Sequence, residues 1–499
     1  MMELLYQIAY FIPEILLALF IPIFAILSKK NKTKVIPKIS KIILFISFMV
    51  IFMYNSSNID FQINFFTHNT YTHHLKILLV VCCFLYFTDT YSECECKKQV
   101  VNTSCITLFT IILSLMMTIS ANNLFIVFLG LELYGISICF FILDTNSKAA
   151  KKYLIISAVM SAVFLYGASL YYSCTGSMSL FSSITSNDKL IPPLQLGILF
   201  MITYFLFKMN AAPFHTWSIF VYNKSSNILI LILDTVLKLI LFIVFINIFN
   251  ILFINNILFF KKFLFWIAIA SMIVGGISPY KQNNIKKFIA YSSIGHIGLA
   301  LIILSTFHDI LEIKLAVMYV FSYCLASFCF FTGFIGVQRY KKIVYKQDLA
   351  GIFSELPFFS YTMFLGLWAM VGIPPFFNFL VKFNIFRIFM IHGDYVSITV
   401  VGVYIMLTAA YTVNFVRHMY VETTDITKYK IPSFQKFLCI LVVFFTLITN
   451  IFFNEINSSI EEVVNLRAKK DDEYKTVDIE VIKKDLESML QKRRFAFMM

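Results

Sequence analysis

Four ionisable side chains lie inside stretches of the chain that are otherwise apolar: one carboxylate and three ammonium groups. A charge in the hydrocarbon core of a membrane costs at least about 2.5–3.5 kcal/mol, so such a group is by default a candidate for function. Carboxylates and amines both bind and release protons, which predicts a role in moving protons or ions. The four residues are Glu132, Lys208, Lys238 and Lys382.

Two of these lysines lie beside prolines. Lys208 precedes Pro213, and Lys382 follows Pro374-Pro375. Proline lacks a backbone donor and clashes with the carbonyl four residues earlier, so it opens a helix. The freed backbone groups are tolerated at membrane depth only where protein or a water-filled cavity satisfies them. Two broken helices, one in each half of the chain, are typical of transporter-like proteins built from inverted repeats.

The remaining ionisable groups each allow two interpretations. Asp234 precedes Lys238 by four residues, so the two can pair on one helix face. Pairing lowers the cost of burial but restrains the lysine. His296 either relays protons between the lysines, because imidazole changes charge near neutral pH, or is a hydrogen-bonded packing residue. Glu132 is either switched by the charge of a facing lysine or neutralised by a structural partner.

The composition places the chain in a membrane. Hydrophobic residues make up 59% of the 499 residues and charged residues only 14%, unlike a soluble domain. Apolar segments recur from residue 4 to residue 453, most of them near the roughly 20 residues that cross a hydrocarbon core. We count about fourteen. The sequence therefore predicts an all-α polytopic membrane protein with about fourteen transmembrane helices, two of them broken near Pro213 and Pro374.

The basic residues occur in alternate loops. The formal net charge of +14 would suit a nucleic-acid ligand, but residues 55–74 and 120–123 contain no lysine or arginine. Residues 29–41, 281–287 and 339–346 are rich in them. This is the positive-inside pattern, which places the basic loops in the cytoplasm or matrix and the N-terminus outside. We expect lipids as neighbours and no nucleic acid.

No motif predicts a cofactor or a metal site. The ten cysteines lack the C-x2-C spacing of a metal site, and there is no Walker loop or dinucleotide fingerprint. Any redox chemistry with NADH, a flavin, an iron–sulfur cluster or a quinone must belong to partner subunits.

The composition changes at the C-terminus. Residues 454–499 are rich in charge and cannot span a membrane. Ile479, Ile482, Leu486 and Met489 recur at helical spacing, which predicts one amphipathic helix. It either lies on the membrane or docks on a partner subunit, and a partly ordered surface tail is the other interpretation.

Several stretches together resemble the subunit N family of NADH-quinone oxidoreductase, called subunit 2 in mitochondrial complex I. Similar segments extend through residues 1–453, and their order and spacing are more specific than any one of them. They include Phe11–Leu19, Phe128–Leu133, Leu165–Tyr172, Phe207–Trp217, Gln282–His296 and Gly372–Pro375.

The resemblance implies an antiporter-like fold in residues 1–453, with fourteen helices, two inverted five-helix repeats and broken helices seven and twelve. It implies a non-redox, proton-translocating subunit in a bacterial or mitochondrial inner membrane, with other membrane subunits of complex I as partners. The implied proton path is Glu132, Lys208, Lys238 and Lys382, with His296 as a candidate relay and Asp234 as a candidate partner of Lys238.

The chain also departs from the family pattern. Residues 219–226 lack the acid, glycine and proline usual after Trp217, and Asp234 replaces a small residue. The local geometry around helix eight is therefore open. Two alternatives remain: a subunit of a cation/proton antiporter or of a membrane-bound hydrogenase, and a structural subunit without its own proton path.

Overall fold

The computed structural model describes residues 11–29, 36–53, 61–63, 65–90, 98–179, 191–252, 257–306, 310–421, 429 and 433–449. The predicted C-terminal helix lies outside these residues. Nearly all described residues are helical, since a helix satisfies the backbone inside a membrane within its own segment. The helices are α1 (Ile12–Lys29), α2 (Ile36–Met53), α3 (Thr70–Thr90), α4 (Lys98–Ser120), α5 (Leu124–Leu143), α6 (Ser147–Thr175), α7 (Ile191–Lys208), α8 (Thr216–Lys224), α9 (Asn227–Asp234), α10 (Val236–Leu252), α11 (Ile257–Lys281), α12 (Ile285–Ser305), α13 (Ile310–Gln338), α14 (Ile352–Glu355), α15 (Pro357–Val371), α16 (Phe377–Ile391), α17 (Tyr395–Met419) and α18 (Ser433–Ile448).

Three apolar segments are interrupted. α7 and α8 flank the predicted break at Pro213, and α15 and α16 flank the one at Pro374. α9 and α10 are separated only by Thr235, whose φ of −108° and ψ of −98° are not helical. The sequence did not predict this third interruption. When the halves are joined and the one-turn α14 is set aside, the described residues contain fourteen apolar segments, the predicted number.

The segments after α3 form two units of five. The first unit runs from α4 to α10 and the second from α11 to α17, and each has its proline-broken segment in fourth place. Because five is an odd number, the second unit starts from the opposite side of the membrane. The two units are therefore inverted relative to each other, as the family resemblance implied.

A short β-hairpin is an addition to the all-helical prediction. Strands β1 (Phe61–Ile63) and β2 (Phe66–His68) pair antiparallel between α2 and α3. Phe66 also bridges to Ala121, and Asn123 bridges to Ser179. The backbone N–H and C=O groups of these loops need hydrogen-bond partners, and the hairpin supplies some of them. The two lysine-free loops and the loop after α6 therefore meet at one face, the outer face by the positive-inside rule.

The basic loops meet at the opposite, inner face. Asn284 forms a bridge with Tyr345, and the Lys346 N–H donates a 2.9 Å hydrogen bond to the Asn283 carbonyl. Lys346, which the sequence indicated only as a basic loop residue, is buried, and its Nζ lies 3.3 Å from the Pro279 carbonyl oxygen. A 3₁₀-helix at Lys346–Leu349 follows. The loops at the inner face are therefore held together by contacts with one another, in addition to sharing a positive charge.

The centre of the molecule is formed by α9, α10, α12 and α13, whose side chains are nearly all buried. α5, α6 and α17 instead present many exposed apolar side chains to their surroundings. In a membrane such a surface meets lipid tails or the apolar face of a partner subunit. The central helices carry buried Asp234, Lys238 and His296, so these ionisable groups are held away from lipid.

Candidate functional site

The first break ends α7 directly after Lys208. The Trp217 indole N–H, from the start of α8, donates a 2.8 Å hydrogen bond to the Phe207 carbonyl. An unsatisfied carbonyl in this setting would cost several kcal/mol (about the penalty for any buried polar group without a partner). Trp217 therefore stabilises the opened helix, and its role here is structural.

The Lys208 ammonium is buried among side chains of α5, α6 and α7. Its Nζ is 3.4 Å from the Ser157 hydroxyl oxygen, and 5.1 and 5.5 Å from the ring centroids of Tyr204 and Tyr134. A β-carbon added to Gly135 would come within 2.8 Å of this Nζ. Aromatic faces attract a cation, most strongly where water is excluded. Gly135 thus leaves room for the ammonium, which is stabilised by the Ser157 hydroxyl and by aromatic rings, including that of Phe207 at 5.7 Å.

Glu132 is half-buried on α5, between the exposed side chains of Leu129 and Ile136. The Tyr204 hydroxyl donates a 2.7 Å hydrogen bond to Glu132 Oε1. Within the described part of the chain no ion pair joins Glu132 directly to Lys208. Tyr204 therefore contacts both groups, and Glu132 and Lys208 are within electrostatic range of each other.

Asp234 and Lys238 form the predicted pair, with 2.8 Å between Oδ1 and Nζ. The Tyr323 hydroxyl donates a 2.7 Å hydrogen bond to the other carboxylate oxygen, Oδ2. Both charged side chains are almost fully buried. The pair persists across the interruption at Thr235, whose carbonyl oxygen lies 3.1 Å from Cys324 Sγ. Lys238 is thus restrained, as expected for a pair four residues apart.

His296 lies at the middle of α12 and is buried. Its Nδ1 is 2.7 Å from the Tyr319 hydroxyl, and its ring stacks on Tyr323 with centroids 4.3 Å apart. It is within electrostatic range of both Lys238 and Lys382. The imidazole therefore lies between the Asp234–Lys238 pair and the second break.

At the second break, Lys382 itself supplies hydrogen bonds to the backbone carbonyls at the end of α15. Gly372 ends α15 with φ of 80°, a conformation that favours glycine. Lys382 Nζ donates to the carbonyls of Met370 (3.1 Å) and Val371 (2.7 Å). The Asn378 amide donates to the same Met370 carbonyl at 2.9 Å. The buried ammonium thus replaces the helical donors that the break removes.

Five of the six predicted site residues lie on or beside the central helices, and Glu132 lies on α5. Most are joined through groups that the sequence analysis did not single out. The tyrosine hydroxyls could have been noticed, because a buried Tyr needs a partner for its O–H. Asn378 is a further buried polar group, and its Oδ1 accepts a 3.1 Å hydrogen bond from Ser322. The missed groups are Ser157, Tyr204, Tyr319, Ser322, Tyr323 and Asn378.

Comparison with known proteins agrees with this architecture. The family model described as NADH:quinone oxidoreductase/Mrp antiporter, TM, matches residues 121–408, more than half of the chain. The chain belongs to this family. The matched range includes all six predicted residues and both proline breaks. The chain is an integral membrane protein, and the resemblance to subunit N seen in the sequence is confirmed.

Curated relatives in this family are named subunit N or chain 2. NADH-quinone oxidoreductase subunit N of Pelagibacter ubique is 33% identical over 313 residues, which cover 60% of this chain and 64% of the relative. Subunit N of Bartonella bacilliformis is 27% identical over 430 residues, covering 82% and 87%. NADH-ubiquinone oxidoreductase chain 2 of Marchantia polymorpha is 29% identical, covering 62% and 65%.

Solved structures show the same fold at low sequence identity. A chain of respiratory complex I from Thermus thermophilus with bound Aureothin has a TM-score of 0.75 at 18% identity, covering 90% of this chain and 99% of its own. A chain of the archaeal membrane-bound sulfane sulfur reductase scores 0.82 at 17% identity, covering 92% and 98%. A chain of the Mrp complex from Dietzia scores 0.77 at 12% identity, covering 92% and 97%. All three belong to membrane complexes of several subunits.

Proposed function

We propose that this chain is a proton-translocating, non-redox membrane subunit of an NADH-quinone oxidoreductase. The observation that supports this most strongly is the row of buried polar groups at the two breaks and between them. Hydrophobic residues surround the row, so each of its charges is costly. Burial of this kind is typical of proton relays in pumps and transporters.

The first step of the proposed mechanism lies between Glu132 and Lys208. Tyr204 contacts both groups, so Glu132 and the Lys208 ammonium are close together in an apolar environment. A change in the charge of Glu132 therefore changes the electrostatic energy of the ammonium. Glu132 is half-buried on a face of apolar side chains, where a neighbouring membrane subunit would pack. A partner that moves charge at this face would bias the proton affinity of Lys208.

The second step passes through the centre of the molecule. When its pairing with Asp234 weakens, Lys238 passes its proton to His296, whose ring stacks on Tyr323. The proton then reaches Lys382 at the second break. Lys238 then takes up the proton that Lys208 releases. The groups are not in continuous hydrogen-bond contact in the described residues, so we infer that transient water completes the chain between them.

Electron transfer is assigned to other subunits in this proposal. NADH, flavin, iron–sulfur clusters and quinone would be bound by partners, and this chain would contribute only charged residues and water. Other membrane subunits of the complex and lipids would cover its exposed apolar faces. The membrane would be a bacterial or mitochondrial inner membrane, since the relatives come from both.

Two alternatives give different results in transport measurements. The Mrp neighbour has the same fold, so the fold alone does not distinguish the proposal from a subunit of a cation/proton antiporter or of a membrane-bound hydrogenase. Such an antiporter would show transport that depends on sodium. If the chain is a structural subunit, replacing its buried lysines by neutral residues would leave the number of protons translocated per NADH oxidised unchanged.

The test uses the intact complex in inverted membrane vesicles, with Lys208→Met, Lys382→Met and the exposed Lys281→Met as a matched control. We expect both buried variants to lower proton translocation per NADH oxidised severalfold, while NADH oxidation with an artificial acceptor and assembly on native gels are retained. Lys281→Met should behave as wild type. Unchanged translocation in both buried variants would contradict the proposal.

A further inference from the structure

A second ionic contact joins α13 and α16 at one end of the bundle. His392 Nε2 lies 2.9 Å from Glu312 Oε1. The Glu312 side chain is only 2% exposed, whereas the His392 side chain is 29% exposed. α12 starts at the inner face beside Tyr345, so α13, which follows it, starts at the outer face. A buried carboxylate therefore meets a water-accessible imidazole at the outer face.

The same two helices hold the deep polar groups of the second unit. His392 follows Lys382 by ten residues, which places it about 15 Å farther along α16 at 1.5 Å per residue. Glu312 precedes Tyr319 by seven residues, or about two turns on the same face of α13. Deeper in the membrane, Ser322 of α13 donates to Asn378 of α16. The contact thus lies on the same helix pair as the Lys382 site, nearer the outer face.

On α16 the buried side chains between Lys382 and His392 are apolar. Ile385, Ile388 and Phe389 follow Lys382 on α16 and are all buried. A proton leaving Lys382 for the outer face needs an acceptor beyond this stretch, because a hydronium ion in a dry apolar region is very costly. Glu312 and His392 are acceptors at that position.

Other charged groups at this end influence the contact. Lys261, at the outer end of α11, is within electrostatic range of Glu312. Lys314 is buried one half-turn after Glu312, Arg387 lies on α16, and Asp394 caps α17 by accepting from the Ser397 N–H. Lys261, Lys314 and Arg387 thus place three positive charges at this end of the bundle, against the carboxylate of Asp394.

We propose that Glu312 and His392 form the proton-release site of this chain on the outer face. The inference rests on the proposed proton-translocating function. An N–H bond of the Lys382 ammonium breaks, transient water carries the proton across the apolar stretch, and the Glu312–His392 pair binds it. The pair then gives the proton to outside water, and Lys382 is left as a neutral amine ready for the next proton from within.

The test compares Glu312→Gln and His392→Gln with Glu355→Gln in the intact complex. Glu355 is the matched control, because it forms a 3.1 Å ion pair with Lys341 at the inner face. Proton translocation per NADH is measured in inverted vesicles, whose lumen corresponds to the outer face, while lumenal pH is varied between about 5 and 8, the range in which imidazole changes charge.

We expect Glu312→Gln to lower translocation severalfold and His392→Gln to change the lumenal pH at which translocation is half-maximal. Glu355→Gln should change neither. His392→Gln can still donate a hydrogen bond to Glu312, so it tests the site even if Glu312→Gln does not assemble. A pH profile of His392→Gln identical to that of wild type would overturn the proposal.

The same vesicles separate this inference from the proposed function. If Lys382→Met loses translocation while the two outer variants keep it with an unchanged lumenal pH profile, only the release site is wrong. If Lys208→Met and Lys382→Met both keep full translocation, the proposed function itself fails.

Discussion

Tyr204 donates a 2.7 Å hydrogen bond to Glu132 and places its ring 5.1 Å from the ammonium of Lys208, so one tyrosine connects the two charges. Tyr204→Phe removes the hydroxyl and keeps the ring. We expect a severalfold fall in proton translocation per NADH, because Glu132 is released while the contact between the ring and Lys208 remains. The measurement is proton translocation by inverted vesicles with NADH as donor.

The control for this change is Tyr166→Phe. Tyr166 is exposed on α6, so it loses the same hydroxyl without touching the two charges. Both variants should assemble normally on native gels. Wild-type translocation by Tyr204→Phe would show that the hydrogen bond from Tyr204 to Glu132 is not needed for transport.

Gly135 gives a test that leaves every charge in place. A β-carbon at Gly135 would lie 2.8 Å from Lys208 Nζ and 3.3 Å from Ser157 Oγ, so the ammonium must move away from the hydroxyl. Because the lysine is long and flexible, Gly135→Ala should cost little stability but should lower translocation. The predicted effect is smaller than that of Lys208→Met, and it is measured in the same vesicles.

Gly402→Ala is the matched control, since nothing lies within 4 Å of a β-carbon added there. If both alanine variants pump like wild type, the position of Lys208 at the break does not matter for transport.

The buried Asp234–Lys238 pair predicts a non-additive effect on stability. Asp234→Asn leaves a buried ammonium without its counter-charge, and removal of one partner of such a pair typically costs about 3–5 kcal/mol. The double variant Asp234→Asn with Lys238→Gln removes both charges and should therefore be more stable than Asp234→Asn alone. The temperature at which the solubilised complex loses this chain on native gels measures the difference.

If Asp234→Asn is as stable as wild type, the carboxylate does not compensate the lysine. Lys238 would then have to be stabilised by Tyr323, whose ring centroid lies 5.3 Å from its Nζ. Tyr323→Leu would reveal that contribution.

The breaks could be predicted because their cause is local. Pro213 and Pro374 each lack a backbone donor and clash with the preceding turn, and Lys208 and Lys382 lie within eight residues of them. Pro22 and Pro279, by contrast, lie inside continuous helices. The pairing of Asp234 with Lys238 is local too, since four residues place both on one side of a helical segment. These features need only helix geometry and the hydrophobic pattern.

The connections between the charges could not be predicted, because they depend on packing between distant segments. Tyr204 is 72 residues from Glu132 in the chain, and Tyr323 is 89 residues from Asp234. The interruption at Thr235 has the same origin, since no proline or glycine marks it in the sequence. A single sequence indicates which groups are buried, but it does not readily indicate which buried groups are in contact.

The hairpin between α2 and α3 was missed for a related reason. Its strands have three residues each, and β2 is held partly by a bridge to Ala121 of another loop. Strands this short are marginal alone and form where other elements supply partners. The pattern of lysine-free loops nevertheless predicted which loops share the outer face.

The buried ammonium of Lys346 predicts how stability depends on pH at the inner face. Burial lowers its pKa from 10.5 to about 8 in the folded chain. Between these two values the unfolded chain holds a proton that the folded chain has lost, so stability rises with pH across this window. Lys346→Met removes the charge and should therefore stabilise the chain relative to wild type most strongly below about pH 8.

This advantage should shrink as the pH rises towards 10.5, whereas the lost contacts of Lys346 with Phe288 and the Pro279 carbonyl contribute at every pH. The pH dependence, and not the sign of the difference at one pH, is thus the diagnostic quantity. Lys342→Met, at an exposed position of the same loop, controls for loss of a positive charge from this face. The dissociation temperature of the solubilised complex is compared between about pH 7 and 10. A constant difference between Lys346→Met and wild type over that range would show that the Lys346 ammonium is hydrated in the folded protein.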